Sequence, residues 1–485
     1  MSFTLQKKIG LKKHLLKSLY SINGVVSVTL VGSFWRAKTL NNFGDIDIVL
    51  ILNKINKKKY DQCINKIKSI KLKNYGLGHL NLTVNSTFGP LKFNTENNIV
   101  FHLMIYDING HILHTIKSPF TCYDWERSLD YKGKSLKEIF PVGKIQLKDF
   151  FLSRRGINHY IENLKNNFIF YQKYQNKNNI LYLQKRKYKI DENHKLEFSY
   201  HLCKYSIINL FKFEKQKNKI PNKLEFKLMM KNIFKKNYLY YYKNYLLLEK
   251  IKKKNAIKDN NFSFDFVKNF TRYFLGFLHQ FNKKEVIFLR HARTKLNDES
   301  FLGTGRNPEI IINKNIKKKL RLLFKKKNIL LFSSNLKRSL QTAELINSKI
   351  KITKTNLLNE KNYGLVESLK YNDLKKEYPK IIEDWQNKKD ARFPKGENDS
   401  DVLKRIKKFK KLLISKIKNK KYKKIFLVVT HNVVLRCLIG YNFSIPKFMW
   451  TNINIEHLKA INFIYFDNML IPNLKREDFF HKLTK

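Results

Sequence analysis

One stretch decides the fold of the second half of the chain: Val286-Ile287-Phe288-Leu289-Arg290-His291-Ala292-Arg293-Thr294. The four apolar residues that open it are typical of a buried parallel strand, and the Arg-His pair follows where such a strand would end. Open α/β sheets place their binding and catalytic groups at the carboxyl ends of parallel strands. We therefore expect Arg290 and His291 to lie at the functional edge of a parallel sheet.

Later segments carry the side chains that would complete a phosphate-handling site. Arg338 lies in Ser-Ser-Asn-Leu-Lys-Arg, Glu360 lies in Leu-Asn-Glu-Lys-Asn-Tyr-Gly, and His431 follows a second strand-like run, Phe426–Val429. A neutral imidazole can attack phosphorus, which divides the hydrolysis of an ester into two easier steps. Arginine offers a bidentate fork to phosphate oxygens, and a carboxyl group with a raised pKa can protonate the leaving oxygen. The set therefore indicates phosphoryl transfer through a phosphohistidine.

These segments resemble the histidine phosphatase superfamily (phosphoglycerate mutase-like), from about residue 284 to the end of the chain. Arg-Phe-Pro-Lys-Gly-Glu at 392–397 and Leu-Arg-Cys-Leu at 435–438 are most similar to the fructose-2,6-bisphosphatase branch. The resemblance implies an α/β/α fold that needs no cofactor. It also implies the site residues: His291 as the nucleophile, Glu360 as the proton donor and His431 as the remaining catalytic residue, with Arg290, Asn297 and Arg338 binding phosphate.

The sequence departs from the family at three positions. Ala292 stands where the family usually has Gly, Arg293 replaces an acid, and Asn432 stands where Gly is frequent. A degenerate, non-catalytic copy is the alternative. Because all five charged or ionisable positions are filled, we expect an active enzyme. Only 70 residues separate Glu360 from His431, which leaves little room for the longer insertion that resembles the glycerate mutases, so we expect a phosphatase.

A second informative stretch lies near the N-terminus. The strand-like run Val26–Val31 ends in Gly32-Ser33, and Asp45 and Asp47 open the next apolar run. Alternate residues of a strand share a face, so the two carboxylates would point the same way. Two carboxylates on one face suit Mg²⁺, and a Gly-Ser turn lets backbone N–H groups approach phosphates.

This pattern resembles the nucleotidyltransferase superfamily of the DNA polymerase β type. The resemblance implies that Gly32 and Ser33 contact a nucleoside triphosphate and that Asp45 and Asp47 hold Mg²⁺. A third carboxylate is expected on a later strand, but the candidate strand 98–107 carries His102 at its centre and Asp107 at its end. Either could serve, or His102 could be a core histidine. The alternative for the acidic pair is a solvated strand edge.

Together these segments predict an α/β multidomain chain. We expect an α+β nucleotidyltransferase-like domain at 1–145, a helical domain at 146–280 and an α/β/α histidine phosphatase domain at 281–485. The helical prediction rests on apolar residues at helical spacing in 146–167, 196–213 and 226–248.

Composition limits the partners. The formal net charge is +60 at pH 7, but lysine is spread along the whole chain, so we expect no nucleic-acid partner. No run approaches the ~18 apolar residues of a membrane helix, so no membrane partner is expected. The four cysteines show neither metal nor disulfide spacing, which fits the cytoplasm.

Three functions follow as hypotheses. The first is a bifunctional enzyme that hydrolyses a phosphorylated small molecule and transfers a nucleotidyl group, from a nucleoside triphosphate, to a small acceptor. The second is a phosphatase with a non-catalytic nucleotide-binding N-terminal module. The third is an RNA-directed nucleotidyltransferase.

Overall fold

The computed structural model describes residues 4–36, 45–89, 97–178, 180–254, 260–283, 285–298, 301–324, 329–346, 349–418, 425–453 and 455–484. The chain divides into two units. Unit 1 comprises Met1–Val142, Asp149–Phe274 and Thr484–Lys485, and unit 2 comprises Gly143–Lys148 and Leu275–Leu483. Within the described residues, no helix is both long enough and apolar enough to cross a membrane.

Unit 1 mixes strands and helices in chain order. Its strands are β1 (Val25–Val31), β2 (Asp45–Leu52), β3 (Asn81–Asn85), β4 (Asn98–Asp107), β5 (Tyr131–Gly133), β6 (Phe168–Lys177) and β7 (Ile180–Lys189). Its helices are α1 (Leu5–Tyr20), α2 (Gly32–Arg36), α3 (Lys57–Lys68), α4 (Ile108–Lys117), α5 (Pro119–Trp125), α6 (Leu136–Ile139), α7 (Asp149–Leu152), α8 (Ile157–Asn166), α9 (Glu192–Lys215), α10 (Lys223–Phe234) and α11 (Tyr238–Lys254). The helix α12 (Asn260–His279) crosses the boundary, and 3-10 turns cover Leu72–Tyr75 and Lys235–Asn237.

Among the described residues, the first five strands of unit 1 form one sheet in the order β3-β4-β2-β1-β5. Strand β4 runs parallel to β2 and β3, and β1 runs antiparallel to β2 and β5. Their apolar, largely β-branched residues pack against α1 and α3, where Leu15 and Cys63 are fully buried with Ile48. The strands expected at 26–31, 45–52 and 98–107 are confirmed. The assignment of this sheet to the nucleotidyltransferase fold stays a prediction.

The segment expected to be helical needs a correction. Helices α8 to α11 are present, but β6 and β7, of ten residues each, form an antiparallel hairpin between α8 and α9. The segment is rich in Phe and Tyr, which fit a strand as well as an apolar helix face, and Asn-rich sequence lies between the strands. Phe88 and Gln172 exchange backbone hydrogen bonds of 2.8 and 2.9 Å, which tie the hairpin to the rest of unit 1.

Unit 2 is built around a largely parallel sheet. Its strands are β8 (Glu285–Arg290), β9 (Ile329–Ser333), β10 (Ile352–Lys354), β11 (Ile425–Thr430), β12 (Ala460–Phe466) and β13 (Met469–Pro472). Its helices are α13 (Lys314–Phe324), α14 (Lys337–Ile346), α15 (Tyr371–Glu377), α16 (Pro379–Gln386), α17 (Asp399–Lys418), α18 (Asn432–Asn442) and α19 (Arg476–Phe480). Shorter 3-10 turns are Gln280–Lys283, Lys295–Asp298, Asn356–Leu358, Gly364–Val366, Lys447–Asn452 and His481–Thr484.

The described strands of unit 2 form a sheet in the order β10-β9-β11-β8-β12-β13, in which β10, β9, β11 and β8 are parallel. One face packs on α13 and α14, where Leu289 and Leu427 share a core with Ala343. On the other face, the ring of Phe288 lies 6.5 Å from that of Phe409 on α17. Helices therefore cover both faces, which confirms the α/β/α layering expected from the sequence.

Candidate active site

The two predicted histidines leave adjacent parallel strands at the same edge. In the register of β8 and β11, Arg290 lies opposite Thr430, and each histidine is the next residue along its strand. The backbone N–H of His291 donates to the carbonyl of Thr430 at 3.0 Å, and the ring centroids of His291 and His431 are 5.0 Å apart. The predicted convergence of the two histidines is therefore present.

His291 is buried in a state suited to nucleophilic attack. Its Nδ1 lies 2.6 Å from the backbone oxygen of Ala292, an acceptor, so Nδ1 carries the proton and the lone pair is on Nε2. Burial, followed by the positive charge of Arg338, holds the pKa of His291 well below its usual value. The imidazole is therefore neutral at neutral pH.

Two arginines flank the histidine, of which Arg338 is buried and Arg290 is partly buried. Arg290 donates from Nη1 to the carbonyl of Ile455 at 2.6 Å, and Arg338 donates from Nη2 to the carbonyl of Gly303 at 2.8 Å. The Nε of each arginine is buried without a hydrogen-bond partner among the described residues. Burial lowers the pKa of Arg290 to about 10, against the opposing charge of Glu360, so its guanidinium stays charged at neutral pH. Burial also lowers the pKa of Arg338, and Glu360 again opposes the shift. Orphaned buried donors of this kind fit an oxyanion.

Only one ring nitrogen of His431 has a hydrogen-bond partner among the described residues. Its Nε2 lies 2.6 Å from the hydroxyl of Ser334, and its Nδ1 is buried with no partner in the described part of the chain. Burial and then the charge of Arg338 keep its pKa well below the usual value. The unpaired Nδ1 is a third polar atom available to a ligand.

The carboxylate of Glu360 is fixed at the same edge. It accepts hydrogen bonds from the backbone N–H groups of Lys361 at 2.9 Å and Val433 at 3.2 Å. The guanidinium of Arg405 donates to the carbonyls of Leu357 and Glu360 at 3.0 Å, which secures the loop. A cavity of about 340 Å³ opens beside Glu360, so a ligand can reach it.

Asn297 lies on the turn that follows the first histidine. Its Oδ1 accepts from the backbone N–H of Thr294 at 2.6 Å and from the hydroxyl of the same residue at 3.0 Å. These hydrogen bonds show that Asn297 stabilises the loop. Its role in lining the phosphate pocket stays a prediction.

The three departures from the family are accommodated. Ala292 is fully buried, has no positive φ, and donates from its backbone N–H to Thr342 at 2.9 Å, so glycine is not required there. Arg293 is exposed. Asn432 is the first residue of α18, with His431 as its N-cap.

Three residues near the site were missed. The ring of His457 lies 5.4 Å from that of His291, with its Nδ1 3.1 Å from the His291 carbonyl. Arg436 on α18 is partly buried, and burial lowers its pKa while Glu360 opposes the shift. The third missed residue is Ser334, whose sequence signal was its position directly after β9. Nothing in the local sequence marks His457.

The N-terminal site residues also come together, within unit 1. Gly32, Ser33, Asp45, Asp47 and His102 line one cavity of about 610 Å³. Asp107, the other candidate for the third carboxylate, instead caps α4, where its Oδ1 accepts from the backbone N–H of Gly110 at 2.6 Å.

The donors at this end of the cavity do not fit the Mg²⁺ site that the resemblance implies at Asp45 and Asp47. His102 lies opposite Asp47 in the register of β2 and β4, and its Nδ1 is 2.8 Å from Asp47 Oδ1 while its Nε2 is 2.8 Å from the carbonyl of Thr87. Both ring nitrogens therefore face acceptors and carry protons. Burial lowers the pKa of His102, but Asp47 raises it more, so that the net shift is upward.

Asp47 is thus already paired with a cation. A Cβ added at Gly32, whose φ is +78°, would lie 2.0 Å from Asp47 Oδ2, so the carboxylate rests against the glycine backbone. The described residues contain no group of three or more His, Cys, Asp or Glu that could hold a metal ion.

Comparisons with known proteins agree with the C-terminal geometry. Residues 286–470 match the model of the histidine phosphatase superfamily (branch 1). The chain is 27% identical over 176 residues to 6-phosphofructo-2-kinase/fructose-2,6-bisphosphatase 4 of Rattus norvegicus, covering 35% of this chain and 34% of the relative. It is 30% identical over 135 residues to fructose-2,6-bisphosphatase of Saccharomyces cerevisiae, covering 27% and 28%.

Among solved structures, the alpha-ribazole phosphatase from Shigella flexneri matches with a TM-score of 0.34 and 20% identity, covering 39% of this chain and 95% of that one. The chain spans about a third of the length of the curated relatives that it matches. The family match, at residues that carry His291, Arg338, Glu360 and His431, identifies the C-terminal part of this chain as a domain of the histidine phosphatase superfamily.

Proposed function

We propose that unit 2 hydrolyses a phosphate monoester through a phosphohistidine at His291. The lone pair on Nε2 attacks phosphorus and the ester P–O bond breaks. Glu360, which enters this step in its protonated form, gives its proton to the departing alkoxide. Water then attacks the phosphorylated imidazole and gives a proton back to Glu360. The second step releases inorganic phosphate and restores the neutral histidine.

The observation that carries this proposal is the state of His291. A neutral imidazole, with its proton fixed on Nδ1 by the Ala292 carbonyl, lies among buried polar atoms of Arg290, Arg338 and His431 that lack partners in the described residues. These groups would stabilise charge as it builds on the phosphoryl oxygens. Loss of one such donor costs about 10²- to 10³-fold in rate in other enzymes.

The relatives suggest the first compound to test. Because the matched relatives are named as fructose-2,6-bisphosphatases, we propose a sugar phosphate as the substrate class, with fructose 2,6-bisphosphate as the first candidate. A chromogenic monoester, p-nitrophenyl phosphate, tests the chemistry without assuming the sugar.

The variant His291→Ala tests the nucleophile. We expect phosphate release from either compound to fall by more than about 1,000-fold, because the attacking atom is removed. The matched control is His279→Ala, an exposed histidine of unit 2, which should keep full activity. Retention of most activity by a folded His291→Ala protein, as judged by circular dichroism, would refute the assignment.

Chelation tests whether this chemistry needs a metal. Phosphate release should be unchanged in EDTA, because arginine and histidine side chains supply the phosphate contacts. Loss of release in chelator with recovery on adding Mg²⁺ would assign the reaction to a different site.

A second candidate function belongs to unit 1. We propose that it binds a nucleotide, as predicted from Gly32, Ser33, Asp45 and Asp47, and the support is that all four line one cavity. The pairing of Asp47 with His102 favours binding without transfer. Pyrophosphate release from a nucleoside triphosphate would instead support nucleotidyl transfer, and RNA binding that weakens steeply with salt would support the RNA-directed alternative.

A further inference from the structure

The wall of the unit 1 cavity includes two adjacent arginines that are not among the predicted site residues. Arg154 and Arg155 both line the cavity, and each is partly buried. Neither forms an ion pair with a carboxylate among the described residues. Two neighbouring cations without a direct ion pair repel each other, so an anionic ligand would stabilise them.

Of the two arginines, Arg155 has the more unusual backbone conformation. Its φ is +60°, in the left-handed region that arginine rarely adopts, and Asn209 donates to its backbone carbonyl at 3.2 Å. Its guanidinium lies 5.4 Å from the ring of Tyr205 and, within the described part of the chain, donates no hydrogen bond. Strained backbone of this kind concentrates at ligand sites.

Arg154 has only a neutral partner. Its Nη2 donates to the side-chain oxygen of Gln172 at 3.2 Å, while its backbone N–H donates to the carbonyl of Lys117 at 3.1 Å. Most of its five donors therefore remain for a ligand.

Of the four acids that line the same cavity, Asp124 and Asp47 form other ion pairs, and Glu197 lies 3.5 Å from His201 Nε2. Asp124 accepts from Arg127 at 2.7 Å and from the fully buried Lys212 at 2.8 Å, and Asp47 is paired with His102. Burial lowers the pKa of Arg155, but the surrounding groups, Asp124 and Asp47 among them, raise it more, so that the arginine stays charged. Neither carboxylate forms an ion pair with Arg154 or Arg155 among the described residues, so the donors of both arginines remain for a ligand.

Neutral polar groups surround the pair. His159 Nδ1, Ser118 Oγ, Tyr106 Oη and His114 Nε2 are buried without partners among the described residues, and all four residues line the cavity. Burial, followed by the charge of Arg154, lowers the pKa of His159 to about 4. Neutral imidazoles and hydroxyls can donate to an oxyanion without adding charge.

We propose that Arg154 and Arg155 form a binding site for the phosphate group of a phosphate monoester, and that this binding requires no metal ion. The arginine fork matches phosphate oxygens, and the donors available here exceed what a single carboxylate can accept. The cavity, at about 610 Å³, has the size of a small-molecule site, and its aromatic wall, which includes Phe88, Tyr160 and Phe170, suits a ring on the ligand. The site is separate from the proposed phosphatase site in unit 2, and it does not depend on nucleotide binding at Gly32 and Ser33.

Trp125 offers a local reporter for the test. It lines the cavity and stacks on His114, with ring centroids 5.1 Å apart and an interplanar angle of 14°. The experiment titrates phenyl phosphate into the full chain carrying His291→Ala, in EDTA, and follows tryptophan fluorescence. The same titration with Trp125→Phe identifies the part of the signal that comes from Trp125.

We expect a saturable, Trp125-dependent response that Arg155→Gln weakens by about tenfold or more, because a bidentate contact is lost. The matched control is Arg272→Gln, on an exposed position of α12 in unit 1 outside the cavity lining, which should bind as the parent does. If Arg155→Gln fails to fold, Arg154→Gln carries the same expectation.

Four outcomes would overturn the proposal: no Trp125-dependent response up to about 1 mM phenyl phosphate, a response that appears only with Mg²⁺, equal binding of benzoate, or unchanged affinity in both arginine variants. A response to ATP and Mg²⁺ that Asp47→Asn abolishes, and that Arg155→Gln leaves intact, would assign the cavity to nucleotide alone. Failure of phosphate release by unit 2 leaves each of these readouts interpretable, because the titration uses a variant without the nucleophile.

Discussion

The reactivity proposed for His291 depends on the proton state of a single side chain. The Ala292 carbonyl fixes the proton on Nδ1, and burial with the charge of Arg338 disfavours a second proton. The same charge that would hold the phosphoryl group therefore also keeps the nucleophile neutral. A histidine at this position with an ordinary pKa would be half protonated near pH 6.5.

This proton state can be measured directly in the free protein. With ¹⁵N-labelled histidine, NMR should show His291 as the neutral Nδ1–H tautomer from about pH 7.5 down to about pH 5.5. Because its pKa is lowered, protonation should begin only well below 6.5. A midpoint near 6.5, or a proton on Nε2, would contradict the account.

Residue chemistry also shows the limit of what the sequence could predict. Arg290, His291 and His431 were predictable because each follows an apolar strand, where topology brings side chains together. His457 was not, because its approach to His291 depends on β12 pairing with β8 across more than 160 residues of chain, as in the 3.1 Å contact to the His291 carbonyl. Local sequence patterns do not predict such long-range pairing.

At the scale of elements, the register of two strands determines the character of the unit 1 cavity. Strands β2 and β4 are parallel, and their register sets Asp47 beside His102. A shift of one residue would turn His102 to the opposite face of the sheet. The strands were predictable from their apolar runs, but the register was not, so whether His102 met the acidic pair stayed open. The β6–β7 hairpin was missed because its aromatic residues also fit a helix.

The ion pair predicts a pKa that depends on Asp47. In the parent protein His102 should titrate above 6.5, and in Asp47→Asn it should titrate below 6.5, because burial then dominates. The pair should stabilise unit 1 fully below about pH 6.5 and lose this effect as pH rises through the folded-state pKa. NMR titration of both proteins measures the shift.

The control for that titration is Asp61→Asn, an exposed carboxylate paired with Lys57, which should leave His102 unchanged. A His102 that titrates below 6.5 in the parent would refute the pairing and would reopen the question of a metal at Asp45 and Asp47.

At the scale of the whole molecule, buried histidines set the response to acid. Burial lowers the pKa of five histidines, three in unit 1 (His111, His114 and His159) and two in unit 2 (His291 and His431). A lowered folded-state pKa gives stability that is present above about pH 6.5 and is lost as pH falls towards the folded value. The pKa of His102 is shifted upward instead. Its contribution to stability therefore has the opposite pH dependence and offsets that of only one of the five histidines.

Stability should therefore fall between pH 7.5 and 5.5, by about 1 kcal/mol for each fully buried histidine. Urea unfolding at the two pH values measures the change in the free energy of unfolding. The variant His111→Leu should lose part of the pH dependence, because burial lowers the pKa of His111 to about 4. Equal or greater stability at pH 5.5 would contradict the expectation.

The central claim is that unit 2 carries a phosphoryl group on His291 during hydrolysis. The most direct test mixes the protein briefly with p-nitrophenyl phosphate, quenches in alkali, and locates the phosphoryl group by tandem mass spectrometry. We expect a phosphoryl group on the imidazole of His291 that is absent in His291→Ala and present in His279→Ala. A protein that releases phosphate while the group is found on another residue would contradict it.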